Sequence, residues 1–93
     1  MDILKNIEQL IDNNELEEAL TALDEEYKTQ DAGKKMEIHL LKGRIFQKQH
    51  KWGEMINQYN DVLETDPENK TAKTGIDMAN SILNFYNPEM FNP

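Results

Sequence analysis

The chain has 93 residues, no cysteine, 38% hydrophobic and 30% charged residues, and a formal net charge of −8. That length allows one domain with a modest core, and the lack of cysteine excludes disulfides and thiolate metal sites. The acid excess argues against a nucleic-acid partner, whose phosphates need clustered Lys and Arg, and no apolar run approaches the ~20 residues that cross a bilayer.

Apolar spacing predicts five helices. The first, about residues 2–12, has Ile3, Ile7, Leu10 and Ile11 at i, i+4, i+7, i+8. The second, about 15–28, sets Leu16, Ala19, Leu20, Leu23 and Tyr27 on one face and acids on the other. Asn13-Asn14 between them suits a tight turn, because Asn tolerates left-handed dihedrals. Gln30-Asp31-Ala32-Gly33 is expected to end the second helix and open a longer connection. The third helix, about 35–49, carries Ile38, Leu41, Ile45 and Phe46; the fourth, about 52–65, carries Trp52, Met55, Ile56, Tyr59, Val62 and Leu63. Asp66-Pro67 stops the fourth, since a residue before proline is disfavoured in the α region. Asn69 then caps a fifth helix, about 70–86, with Ala72, Ile76, Ala79, Leu83 and Tyr86. Residues 87–93 contain two Asn-Pro steps and read as a non-helical tail.

The chain is self-similar. Leu16, Glu18, Ala19, Leu20 and Leu23 recur 36 residues on as Trp52, Glu54, Met55, Ile56 and Tyr59. A fixed period in the thirties with helical spacing inside each copy marks stacked helix hairpins. Gly43-x2-Phe46, then Met55-x3-Tyr59, then Pro67, resembles the tetratricopeptide repeat. Gly43 stands at its small residue, Phe46 and Tyr59 at its aromatic positions, and Pro67 at its closing proline. His39 and Lys42 replace the usual aromatic and leucine, and Met55 replaces an alanine. The first copy keeps Ala19 and Leu23 but has Ile7 for the glycine and no closing proline. The resemblance implies an all-α fold, a short right-handed α-α superhelix of five helices. Its domain would span 1–86, with repeats at about 2–29 and 35–66 and a capping helix at about 70–86.

The two copies also differ where an array should end. Ile38, Leu41 and Ile45 form the face of the third helix toward the preceding unit, and the first helix has Asp2, Lys5 and Gln9 there. The fifth helix offers Ala72, Gly75 and Ala79 for docking on the fourth. Lys73, Ile76, Asp77 and Asn80, mostly polar, face where another helix would follow. That is the pattern of a terminal cap, so two repeats plus a cap are expected.

Catalytic chemistry finds little support. His39 and His50 would stand about 16 Å apart on one helix, too far to share a metal. His39 falls on a packing position and reads as a core-edge histidine. Glu15, Glu17, Glu18, Asp24, Glu25 and Glu26 form acidic clusters, with nothing to bury one and raise its pKa for acid–base work. The four glycines form no phosphate loop, and no calcium-loop pattern occurs. The expectation is no enzyme, no cofactor and no metal. The opening residues 1–6 lack the basic and apolar regions of a secretory signal, so a cytoplasmic location is expected.

In the tetratricopeptide family the first helix of each unit lines a concave groove for peptides or partner helices. Carried over by position, the lining here is Leu4, Glu8 and Ile11 from the first unit. The second unit gives Glu37, Leu40, Arg44 and Gln47, with Lys48 beside them, and the cap gives Thr74, Met78 and Ser81. Leu4, Leu40 and Met78 would make an apolar strip beside Arg44 and Lys48, which suit a carboxylate. Equally, Leu40 and Met78 could simply close the core. A subset of the family clamps C-terminal carboxylates with Lys and Asn; the matching Leu4, Glu8, Leu41, Thr71 and Gly75 lack that clamp. The expected function is a non-catalytic protein-interaction adaptor with an unidentified protein or peptide partner. The alternative is a self-associating homodimer. It would use a second apolar line on the fifth helix, Met78, Ile82 and Phe85, covered by Met90 and Phe91 of the tail or by another protomer.

Overall fold

A computed structural model describes residues 2–86, with the backbone alone at Tyr86. It contains α1 (Ile3–Asp12), α2 (Leu16–Tyr27), α3 (Ala32–Lys48), α4 (Trp52–Thr65) and α5 (Lys70–Tyr86), with no strand among the described residues. The all-α fold of five helices is as the apolar spacing predicts. The expected tail, with Met90 and Phe91, lies outside the described residues.

Local chemistry sets the ends. Asp2 accepts the Leu4 N–H at 3.0 Å, Asp31 the Lys34 N–H at 2.9 Å, and Asn69 the Ala72 N–H at 3.0 Å. Each satisfies a donor that a helix start otherwise leaves orphaned. The Asp31 cap corrects one boundary. α3 begins at Ala32, about a turn before the expected residue 35, so the expected longer connection shrinks to residues 28–31. Asp66 is extended (φ −133°, ψ 85°), as a residue before proline should be, and α4 ends at Thr65.

The 36-residue period is built into the backbone. Asn14 and His50 both have positive φ, 64° and 59°. Around Asn14, the Asn13, Asn14 and Glu15 N–H groups donate to the carbonyls of Gln9, Ile11 and Leu10. Around His50, the Gln49, His50 and Lys51 N–H groups donate to Ile45, Gln47 and Phe46 in the same order. Both turns close their helix with a bond back to the sixth residue, in the manner of a Schellman cap. No side chain caps α2 or α4; the turn geometry alone launches them.

Two apolar clusters hold the helices together, and α3 belongs to both. Leu4, Ile7 and Ile11 of α1 and Ala19 and Leu23 of α2 close on Ile38, Leu41 and Ile45 of α3. On its other side, Met36, Leu40 and Phe46 of α3 pack against Met55, Tyr59 and Val62 of α4, which meet Ala72 and Ala79 of α5. The closest pairings are α3 with α4 and α4 with α5. Asp2, Lys5 and Gln9 are exposed while Ile38, Leu41 and Ile45 are buried, so α1 ends the row with a polar face. The molecule measures 49 × 28 × 19 Å. No helix among the described residues is long and apolar enough to cross a membrane.

Candidate functional site: a paired concavity on α1, α3 and α5

The Tyr59 ring lies between two glycines on opposite helices. A Cβ added at Gly43 of α3 would come 2.2 Å from Tyr59 Cε1, and one at Gly75 of α5 would come 2.2 Å from Cε2. Neither distance is tolerable, so the ring fits only because both neighbours lack a side chain. Tyr59 is 3% exposed, and burial pushes its phenol pKa above the ordinary 10.0, with the Arg44 guanidinium pulling the other way.

With no bulk at Gly75, α3 and α5 leave a hollow of about 370 Å³ floored by Tyr59, Gly75 and Met78. Gln47, Lys70, Thr71 and Thr74 supply its polar lining. A second hollow, about 320 Å³, opens between α1 and α3 over Leu4, Leu40 and Leu41. Its rim carries Asp2, Glu8 and Glu37 beside Lys5 and Lys34. Lys34 and Glu37 stand 3.4 Å apart there. The two hollows flank α3, and α1, α3 and α5 supply nearly all of their walls.

The expected groove residues thus fall into three groups. Glu8, Glu37 and Leu40 line the α1–α3 hollow; Gln47, Thr74 and Met78 line the α3–α5 hollow. Leu4 reaches the first hollow only by its edge, since it is 4% exposed, and Ile11 is wholly buried. Both side chains belong to the first cluster, so Ile11 is corrected from groove lining to core, while Leu4 shows the hollow an edge beside Leu40. Arg44 is also corrected. It donates to Asp12 of α1 and lines neither hollow, so it is not a free cation of the groove. Lys48 and Ser81 are exposed and line neither hollow.

Lys70 and Thr71 were not among the expected groove residues, yet they line the α3–α5 hollow. Lys70, Thr74 and Met78 follow one another at i, i+4, i+8, so extending the fifth-helix stripe one turn back would have found the lysine. Tyr59 both packs in the second cluster and lines the α3–α5 hollow.

Away from the hollows, His39 Nδ1 lies 2.8 Å from Gln58 Oε1 and 3.7 Å from Asp61 Oδ2. Its ring meets Tyr27 edge-on at 5.2 Å. This is the core-edge histidine expected: it ties α2, α3 and α4 together.

No family model matches the chain, and no curated protein matches it. Among solved structures it is similar to the solution NMR structure of Bacteroides fragilis protein BF1650, at 38% identity and a TM-score of 0.85. The match covers 99% of this chain and 91% of the other.

Proposed function

This chain belongs to the same family as Bacteroides fragilis protein BF1650, and on that shared fold we propose a non-catalytic interaction module that holds a peptide or partner helix across α1, α3 and α5. The observation that carries this reading is the pair of hollows flanking α3, each with an apolar floor and polar walls. Recognition sites for extended chains combine pockets for side chains with donors and acceptors for the backbone. The repeated turns at Asn14 and His50, the glycine at 43 and the polar terminal faces favour a tetratricopeptide-type arrangement of two units and a cap. On this view the protein is a cytoplasmic adaptor that needs no cofactor or metal. A library of random dodecapeptides panned against the immobilised protein tests it. Enriched peptides should lose binding to Met78→Arg, which fills the α3–α5 hollow, and keep it with Asp61→Lys on the side of His39.

Self-association is the second reading, favoured by Phe85, which is 78% exposed at the end of the line through Met78 and Ile82. Pairing of α5 between two copies would remove that surface from water. Sedimentation equilibrium separates the two readings. A monomer at all concentrations supports the groove, whereas a dimer that Phe85→Glu dissociates supports α5 pairing.

A further inference from the structure

One stripe of α5 has the spacing of a seam between two packed helices. Thr71, Gly75, Met78, Ile82 and Phe85 follow one another at intervals of four, three, four and three residues. Thr71, Gly75 and Met78 line the α3–α5 hollow, and Ile82 and Phe85 continue the stripe toward the end of the helix. Phe85 is the most exposed large apolar side chain among the described residues. The same stripe thus carries a hole at one end and a knob at the other.

The two ends match under a two-fold axis. Along α5, Phe85 stands about 10 Å from Met78, and Thr71 about 10 Å from it in the other direction. An antiparallel second copy, related by an axis through Met78, therefore sets Phe85 over the span from Thr71 to Gly75. Helical side chains lean toward their own N-terminus, which carries the ring over Thr74 and Gly75 and into the hollow. Its apolar tip then meets Tyr59 and Met78, both favourable neighbours for an aromatic ring. Charge agrees with a second copy as the occupant. A chain of −8 repels its own kind, so two copies can meet only across a face without carboxylates. The seam has none, and Thr74 and Ser81 beside it are uncharged. Lys70 is the one charged residue lining the hollow, and its stem can lie along a ring with the ammonium in water. The α1–α3 hollow, with Asp2, Glu8 and Glu37, would set like charges against each other.

We propose that two copies pair antiparallel through α5, each placing Phe85 in the α3–α5 hollow of the other. The inference rests on the self-association reading and names its contact and register. A hollow filled in this way is closed to a peptide, so pairing and peptide capture exclude each other there.

Because the chain has no cysteine, cross-linking can read the register. Thr74 and Ser81 are both exposed and stand nearly opposite each other across the axis. Each is displaced from its own counterpart by about 9–12 Å along the helices. Mixed Thr74→Cys and Ser81→Cys proteins should form a 74–81 disulfide under mild oxidation, and neither protein alone should link. In sedimentation equilibrium, Phe85→Glu should raise the dimer dissociation constant about a hundredfold, roughly tenfold for each of two rings, and Phe85→Leu by less. The helix signal in circular dichroism should be unchanged in both variants, since Phe85 is exposed. If Phe85→Glu dissociates the dimer but the mixed cysteines do not link, or link 74 to 74 or 81 to 81, α5 pairing stands and the proposed contact is wrong. If wild type is monomeric at all concentrations, or its dimer is indifferent to Phe85→Glu, both fall.

Discussion

Tyr59 shows how far a single residue can fix its neighbours. Its ring occupies the volume that a Cβ at position 43 or 75 would need, and at 3% exposure it has no solvent to move into. Gly43→Ala should therefore force α3 and α4 apart and destabilise the fold by about 1–3 kcal/mol, the usual cost of overpacking. Chemical denaturation checks this, and a Tyr59→Leu background should shrink the penalty, since the clashing ring carbons are gone. The same burial makes a pH prediction. The folded phenol holds its proton more tightly than the unfolded one, whose pKa is near the ordinary 10.0. The unfolded state therefore loses its proton first as pH rises, so the contribution is complete below pH 10.0 and is lost above it. Melting curves taken from neutral to strongly alkaline pH should fall less steeply for Tyr59→Phe than for wild type. The charge expected at Arg44 behaves differently. Its partner Asp12 and its own side chain are both well exposed, so breaking that pair should cost only ~0–1 kcal/mol.

At the scale of elements, the turns carry as much specification as the helices. Asn14 occupies the left-handed region at φ 64°, which costs most L-residues about 1–2 kcal/mol and asparagine less. Asn14→Ala should lower stability by about 1 kcal/mol, while Asn14→Gly should be neutral or slightly stabilising. A pair of urea melts decides it, because loss of a side-chain contact would make both variants equally poor. The amphipathic helices α1, α2, α4 and α5 were legible from their spacing, since each buries one stripe. The start of α3 was less so. Ala32 and Gly33 look like loop residues in sequence, and only the Asp31 side chain folding over Lys34 N–H brings them into the helix.

For the whole molecule, the central position of α3 has a thermodynamic consequence. Its Ile38–Leu41–Ile45 face completes one cluster and its Met36–Leu40–Phe46 face the other. A helix shared in this way couples neighbours as in a nearest-neighbour array, and so short an array should unfold as one unit. Ile45→Ala, at a wholly buried position of the first cluster, should cost about 2–5 kcal/mol. Trp52 packs in the second cluster and reports on it independently. Its fluorescence transition should shift together with the helix signal in circular dichroism. A Trp52 transition left at the wild-type temperature would mean that the clusters melt separately.

The sequence by itself determined the five helices, the 36-residue repeat and the polar ends of the row, because all three follow from local periodicity and from which faces need a partner. It identified Gly43 as a point of close approach and Asn69 as a cap for the same reason: each is a short-range steric or hydrogen-bonding demand. The candidate site was legible only in part. Gln47, Thr74 and Met78 meet in one hollow as their helical positions imply, but Leu4 and Ile11 turn into the core and Arg44 is claimed by Asp12, a partner 32 residues away. Which apolar residues of a two-faced stripe stay open, and which cations find an acid, depend on how far helices sit from one another. That distance is set by packing between helices remote in sequence, around the Tyr59 ring and its two glycines, and only the tertiary structure decides it.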